Sequence, residues 1–121
     1  MNFGFIGTGN IVSDVITGMN GSKIRYKKII ISPRNQKKAK QLKKKFKKIT
    51  IAKDNQSLIN ESDWVFLGIL PKVGDKILPK LKFRNKQIIV SFMSTTNHTK
   101  LKKLIKTKSI IIRAIPMPPI R

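Results

Sequence analysis

Six short apolar runs recur along the chain, each separated from the next by a segment with helical spacing. The runs are NFGFIG at 2–7, KIIIS at 28–32, ITIA at 49–52, WVFLGIL at 64–70, QIIVSFM at 87–93 and SIIIRAI at 109–115. Between the first two, Ile11, Val12, Val15, Ile16 and Met19 fall on one helical face over residues 10–19, and Gly18, Asn20, Gly21 and Ser22 should end that helix. Over 35–48, Ala39, Leu42, Phe46 and then Ile49 form one stripe and lysines fill the other face. Asp54 or Asn55 can cap a short helix running to Glu61. Pro71 can open another that carries Val73, Ile77 and Leu78 and stops at Pro79, and Thr96 or Asn97 can cap one with Leu101, Leu104 and Ile105. The run at 64–70 is apolar throughout, as a central strand covered on both faces would be. Strands alternating with helices across short connections predict an α/β fold: a doubly wound, mostly parallel sheet of about six strands with right-handed crossovers. Residues 1–121 read as a single domain of this kind, ending in an extended proline-rich tail, PMPPIR.

Composition removes several function classes. With no cysteine, disulfides, thiol catalysis and cysteine-ligated metals are out of consideration. No apolar run approaches the ~20 residues that span a bilayer, and the first ten residues lack the basic start of a secretion signal. A cytoplasmic location is the expectation. The charge balance is uneven, with 27 Lys and Arg against 5 Asp and Glu, a formal net charge of +22. Two readings stand side by side. One is a nucleic-acid or other polyanionic partner. The other is a compositional bias toward Lys, Ile and Asn, which the excess of Lys over Arg and the aromatic content of 7% favour.

Between the first strand and the first helix lies Gly7-Thr8-Gly9-Asn10-Ile11-Val12, a G-x-G-x-x-G/A pattern with Val at its last position. The first glycine permits a tight turn, and the second lets the backbone approach a pyrophosphate. The helix that follows offers free N–H groups and the positive end of its dipole. The motif alone is weak evidence, but here it sits in the strand–turn–helix context that a Rossmann dinucleotide site requires. Val12 is larger than the usual glycine or alanine. It should push the helix off the sheet or be absorbed by a smaller neighbour. The end of the second strand then separates the cofactors. An NAD site places an acid about 20 residues beyond the glycines to bind the ribose 2′-hydroxyl. Residues 28–38 contain no acid and offer Ser32, Arg34 and Asn35. A hydroxyl and a guanidinium suit a 2′-phosphate, so the expected cofactor is NADP(H).

The stretches FGFIGTGN at 3–10, ISPRNQKKAKQL at 31–42, AKDNQSLINESDWVFLGILP at 52–71, IIVSF at 88–92 and RAIP at 113–116 resemble the N-terminal cofactor domain of pyrroline-5-carboxylate reductase. The resemblance covers nearly the whole chain. It implies an NAD(P)H-dependent oxidoreductase that reduces the cyclic imine 1-pyrroline-5-carboxylate to proline, the last step of proline biosynthesis. Carried across by position, its cofactor contacts fall on Gly7 to Val12, on Ser32 and Arg34, on Asn55 near the adenosine, and on Ile69, Leu70 and Pro71 beside the ribose and nicotinamide. The chain departs from the family at Leu70, where the family has lysine. It departs again at Met93-Ser94-Thr95, where the family has Ala-Ala-Gly, and at Met117-Pro118, where it has Asn-Thr. The resemblance also implies a helical second domain that forms the dimer and much of the substrate pocket. Residues 1–121 are therefore expected to be truncated relative to the family. Catalysis would then call on self-assembly into a homo-oligomer or on a missing partner domain. The alternatives are a non-catalytic NADP-binding paralogue and a basic nucleic-acid-binding protein on a Rossmann scaffold. No catalytic residue and no metal ligand is assigned: the five acids form no paired motif, and His98 reads as a surface residue at a helix start.

Overall fold

The structure is a computed structural model that describes residues 1–7, 10–20, 27–33, 36–46, 49–93, 96–106 and 109–114; the side chains of Asn10, Ile11, Ser13, Asn20, Gln36, Lys38 and Leu42 are not described. Strands β1 (Asn2–Ile6), β2 (Lys28–Ile31), β3 (Ile49–Ile51), β4 (Trp64–Leu67), β5 (Ile88–Ser91) and β6 (Ile110–Arg113) alternate with helices. These are α1 (Asn10–Asn20), α2 (Gln36–Lys45), α3 (Asn55–Glu61), α4 (Pro71–Ile77) and α5 (His98–Ile105), and a 3-10 turn at Leu78–Lys80 follows α4. The strands form one sheet in the order β3-β2-β1-β4-β5-β6, and every pair is parallel. The chain thus winds outward from β1 in both directions, with the change of direction between β1 and β4.

Side-chain alternation along the strands feeds two cores. Phe3, Phe5, Ile29, Ile31, Ile49, Phe66 and Val90 meet α1 and α2 through Val12, Ile16, Met19 and Ala39. Phe5 and Phe66 stack with ring centroids 4.5 Å apart. On the other face Ile6, Ile30, Val65, Leu67, Ile89 and Ile111 meet Leu58, Ile59, Leu78, Leu101 and Ile105. Strand β6 is an edge. Its Ile111 is 9% exposed, while Ile110 and Ile112, pointing to the other face, are 63% and 42% exposed.

Several expectations are corrected. Gly18 lies inside α1, which runs on to Asn20, because nothing crowds its position and a single glycine costs a helix only about 1 kcal/mol. The apolar run 64–70 is strand only to Leu67; Gly68-Ile69-Leu70 leave the sheet, and Leu70 is 72% exposed. Pro79 does not stop the backbone at once, since the helical path tightens into the 3-10 turn that contains it. The tail from 115 lies outside the described residues. Of the two cap candidates in each pair, Asp54 and Asn97 do the work: Asp54 accepts from the Ser57 N–H at 2.7 Å and Asn97 from the Lys100 N–H at 2.9 Å.

Candidate cofactor-binding site

The carboxyl ends of β1 and β4 meet where the strand order reverses, the place where open α/β sheets leave a crevice for ligands. Gly7 follows β1 with φ +106°, a left-handed conformation that L side chains avoid. A Cβ there would also overlap the carbonyl oxygen of Gly68. Gly68 follows β4, and its N–H donates to the Ile6 carbonyl at 2.9 Å, which closes the two strand ends against each other. A Cβ on Gly68 would overlap Val12 Cγ2. Val12 is fully buried. The smaller neighbour that Val12 requires is therefore Gly68, and the packing role of the motif's third glycine has moved across to β4.

Around this junction the predicted residues take different places. Ser32 sits at the end of β2, its N–H donating to Phe5 O at 3.0 Å, and is 1% exposed. Thr8, Gly9, Arg34 and Asn35 lie outside the described residues, and Asn10 and Ile11 are described only as backbone of α1. Ile69 is half-buried against the core beside Leu67. Leu70 is the extended residue before α4, and Pro71 opens that helix. Asn55 is the first residue of α3. Because Asp54 already caps the helix, the Asn55 Oδ1 atom is left buried with no hydrogen-bond partner among the described residues. The Ser57 N–H holds the Asp54 carboxyl below its usual range.

Asn55 lines a pocket of about 230 Å³ with Lys72, Val73, Lys76 and Ile77. These four α4 residues, and Gly68, are absent from the set predicted by sequence. A glycine interrupting an apolar strand pattern is a signal of close backbone approach, and Lys72 and Lys76 sit at i and i+4 behind Pro71. Met93, one of the departures from the family pattern, is 3% exposed and packs against Gly74 of α4, so its side chain fills the core rather than the crevice. Ser94, Thr95, Met117 and Pro118 lie outside the described residues. Among the described residues no three His, Asp or Glu side chains gather as a metal site, and no helix is long and apolar enough to cross a membrane.

Residues 2–95 match the family described as NADP oxidoreductase, coenzyme F420-dependent. The chain belongs to that family. Its fold matches a 1-pyrroline-5-carboxylate reductase from Streptococcus pyogenes with a TM-score of 0.78 and 26% identity, over 96% of this chain and 42% of that one. A pyrroline-5-carboxylate reductase from Coxiella burnetii gives 0.85 and 22%, over 98% and 44%. The Plasmodium falciparum pyrroline carboxylate reductase with NADP bound gives 0.79 and 19%, over 96% and 42%. The chain therefore spans less than half the length of these solved relatives. No curated protein matches the sequence. The family and these structures make the chain an NAD(P)-binding oxidoreductase domain that resembles pyrroline-5-carboxylate reductase.

Proposed function

We propose that the chain holds NADP(H) across the carboxyl ends of β1, β2 and β4 and acts as the cofactor half of a cytoplasmic reductase for a small cyclic imine, 1-pyrroline-5-carboxylate, in proline biosynthesis. The observation that carries the reading is the Gly7–Gly68–Val12 junction at the sheet's reversal point. There the two strand ends close against each other, Gly7 takes a left-handed φ of +106° that a side chain would not, and α1 begins at Asn10. The unpartnered Asn55 Oδ1 in its pocket fits the same ligand, since it accepts a hydrogen bond from a ribose hydroxyl or an adenine amino group.

When bound, NADPH supplies the hydride. The chain's residues bind and orient. The turn Gly7 to Val12 would hold the pyrophosphate through backbone N–H groups at the start of α1. Arg34 and Asn35 take the 2′-phosphate end, with Arg34 as its cation, while the buried Ser32 supports the strand end from which they leave. Ile69, Leu70 and Pro71 border the ribose and nicotinamide without a charged side chain. Near-attack geometry also needs walls on the substrate's far side, which residues 1–121 of a single copy do not have to supply.

NADPH fluorescence titration tests the binding reading. Arg34→Ala should weaken NADPH binding by about tenfold or more, as expected for one lost charge-assisted contact, and leave NADH binding unchanged. Equal affinities of the unmodified chain for NADPH and NADH would remove the 2′-phosphate assignment. Oxidation of NADPH in the presence of 1-pyrroline-5-carboxylate tests the reductase reading. Turnover by residues 1–121 would locate the substrate walls within them or their oligomer, and its absence would place those walls outside residues 1–121.

A further inference from the structure

The nucleotide site absorbs only a small part of the +22 charge. Between Asp14 and Asp54 the chain carries fourteen lysines and arginines and no acid. Helix α2 is the centre of that stretch. It buries Ala39 on the sheet and turns Lys37, Lys40, Lys43 and Lys44 to solvent. No ion pair engages these lysines among the described residues; the salt bridge of Lys100 to Asp75, at 3.2 Å, lies on the opposite side of the sheet.

We infer that the exposed face of α2, running on from the Arg34–Asn35 segment, is a binding surface for the phosphodiester backbone of a nucleic acid. Lys37, Lys40 and Lys44 stand at i, i+3 and i+7, so they form one row along the helix. The row is about 10 Å long at the α-helical rise. At about 3.4 Å of axis per phosphate on one strand, that length spans about three phosphate steps. Cations that converge on a point hold a small anion, whereas cations spread along a line suit a linear polyanion. The described outward side chains of α2 are lysines and Gln41, with no apolar group to enter a bilayer. The nearby ring of Phe46 is half-buried, with Lys45 Nζ 5.5 Å from its centroid, so α2 offers no free stacking platform. Contacts are therefore to phosphates, and binding is indifferent to sequence.

The test is fluorescence anisotropy of a labelled mixed-sequence DNA duplex, two helical turns long, titrated with the full chain over a salt series. The expected Kd at physiological salt is tighter than about 10⁻⁴ M, and saturating NADPH leaves it unchanged. The triple variant Lys37→Gln, Lys40→Gln, Lys44→Gln should lower the salt slope by about 2.7 and weaken binding by about tenfold or more. A second triple, Lys82→Gln, Lys86→Gln, Lys103→Gln, removes the same charge beyond α2 and should change both far less. Circular dichroism checks that the variants fold. Should the α2 triple fail to fold, Lys40→Gln alone should lower the slope by about 0.9. Weaker wild-type binding, displacement by NADPH or equal losses in both triples would each overturn the assignment. So would binding to phosphatidylserine vesicles without binding to the duplex. Failure of NADPH to bind would count against the cofactor reading alone.

Discussion

Two glycines face each other across the β1–β4 junction and are needed for different reasons. Gly7 is required by conformation, at φ +106°, and by space. Gly68 is required by space alone, because Val12 fills the volume a Cβ would take. Gly68→Ala should therefore cost about 1–3 kcal/mol, the usual penalty for overpacking a tight core. Val12→Ala in the same chain should recover part of it. Urea unfolding of both single variants and the double variant measures the coupling, and strictly additive losses would show that the two side chains do not compete for one space. Val12's need for a small neighbour was legible from the glycine motif. The identity of that neighbour was not, because Gly68 lies 56 positions along the chain and only strand pairing brings it to α1.

At the scale of elements, caps and edges decide what each segment presents. Asp54 spends its carboxylate on the Ser57 N–H and so leaves Asn55 free to face the pocket. The folded carboxyl titrates below its ordinary value of 3.8. Its contribution to stability is thus complete above that value and is lost as the pH falls through the lower folded value. Acid titration should show α3 loosening in that window, and Asp54→Asn, which keeps a capping oxygen, should flatten the dependence; thermal melts across acidic pH measure both. Strand β6 gives a second comparison. Ile111→Ala should cost about 2–4 kcal/mol, whereas Ile112→Ala should cost far less, since only the first is packed on the core. Denaturant midpoints of the two variants read the difference. Periodicity alone showed where helices and strands lie. Their ends were less legible: the run 64–70 is uniformly apolar, yet the sheet holds it only as far as neighbours β1 and β5 can pair with it.

Across the whole molecule, one net charge governs both stability and partners. A chain at +22 repels itself when compact, and added salt relieves that repulsion over a Debye length of about 10 Å at 0.1 M. The melting temperature should rise when inert salt is raised from low to physiological strength. A flat response would mean that the lysines are far enough apart to ignore one another. The sequence by itself determined the alternation of strand and helix, the parallel sheet, the glycine turn and the acid-free segment after β2. All of these are local: they follow from side-chain period, backbone freedom and the presence or absence of charge at neighbouring positions. The tertiary structure decided the order β3-β2-β1-β4-β5-β6, the pairing of Gly68 with Val12, the burial of Ser32 and Met93, and the pocket that Asn55 shares with α4. Each of these joins residues far apart in the chain, and the choice among possible partners is made by packing volume, which no local pattern encodes.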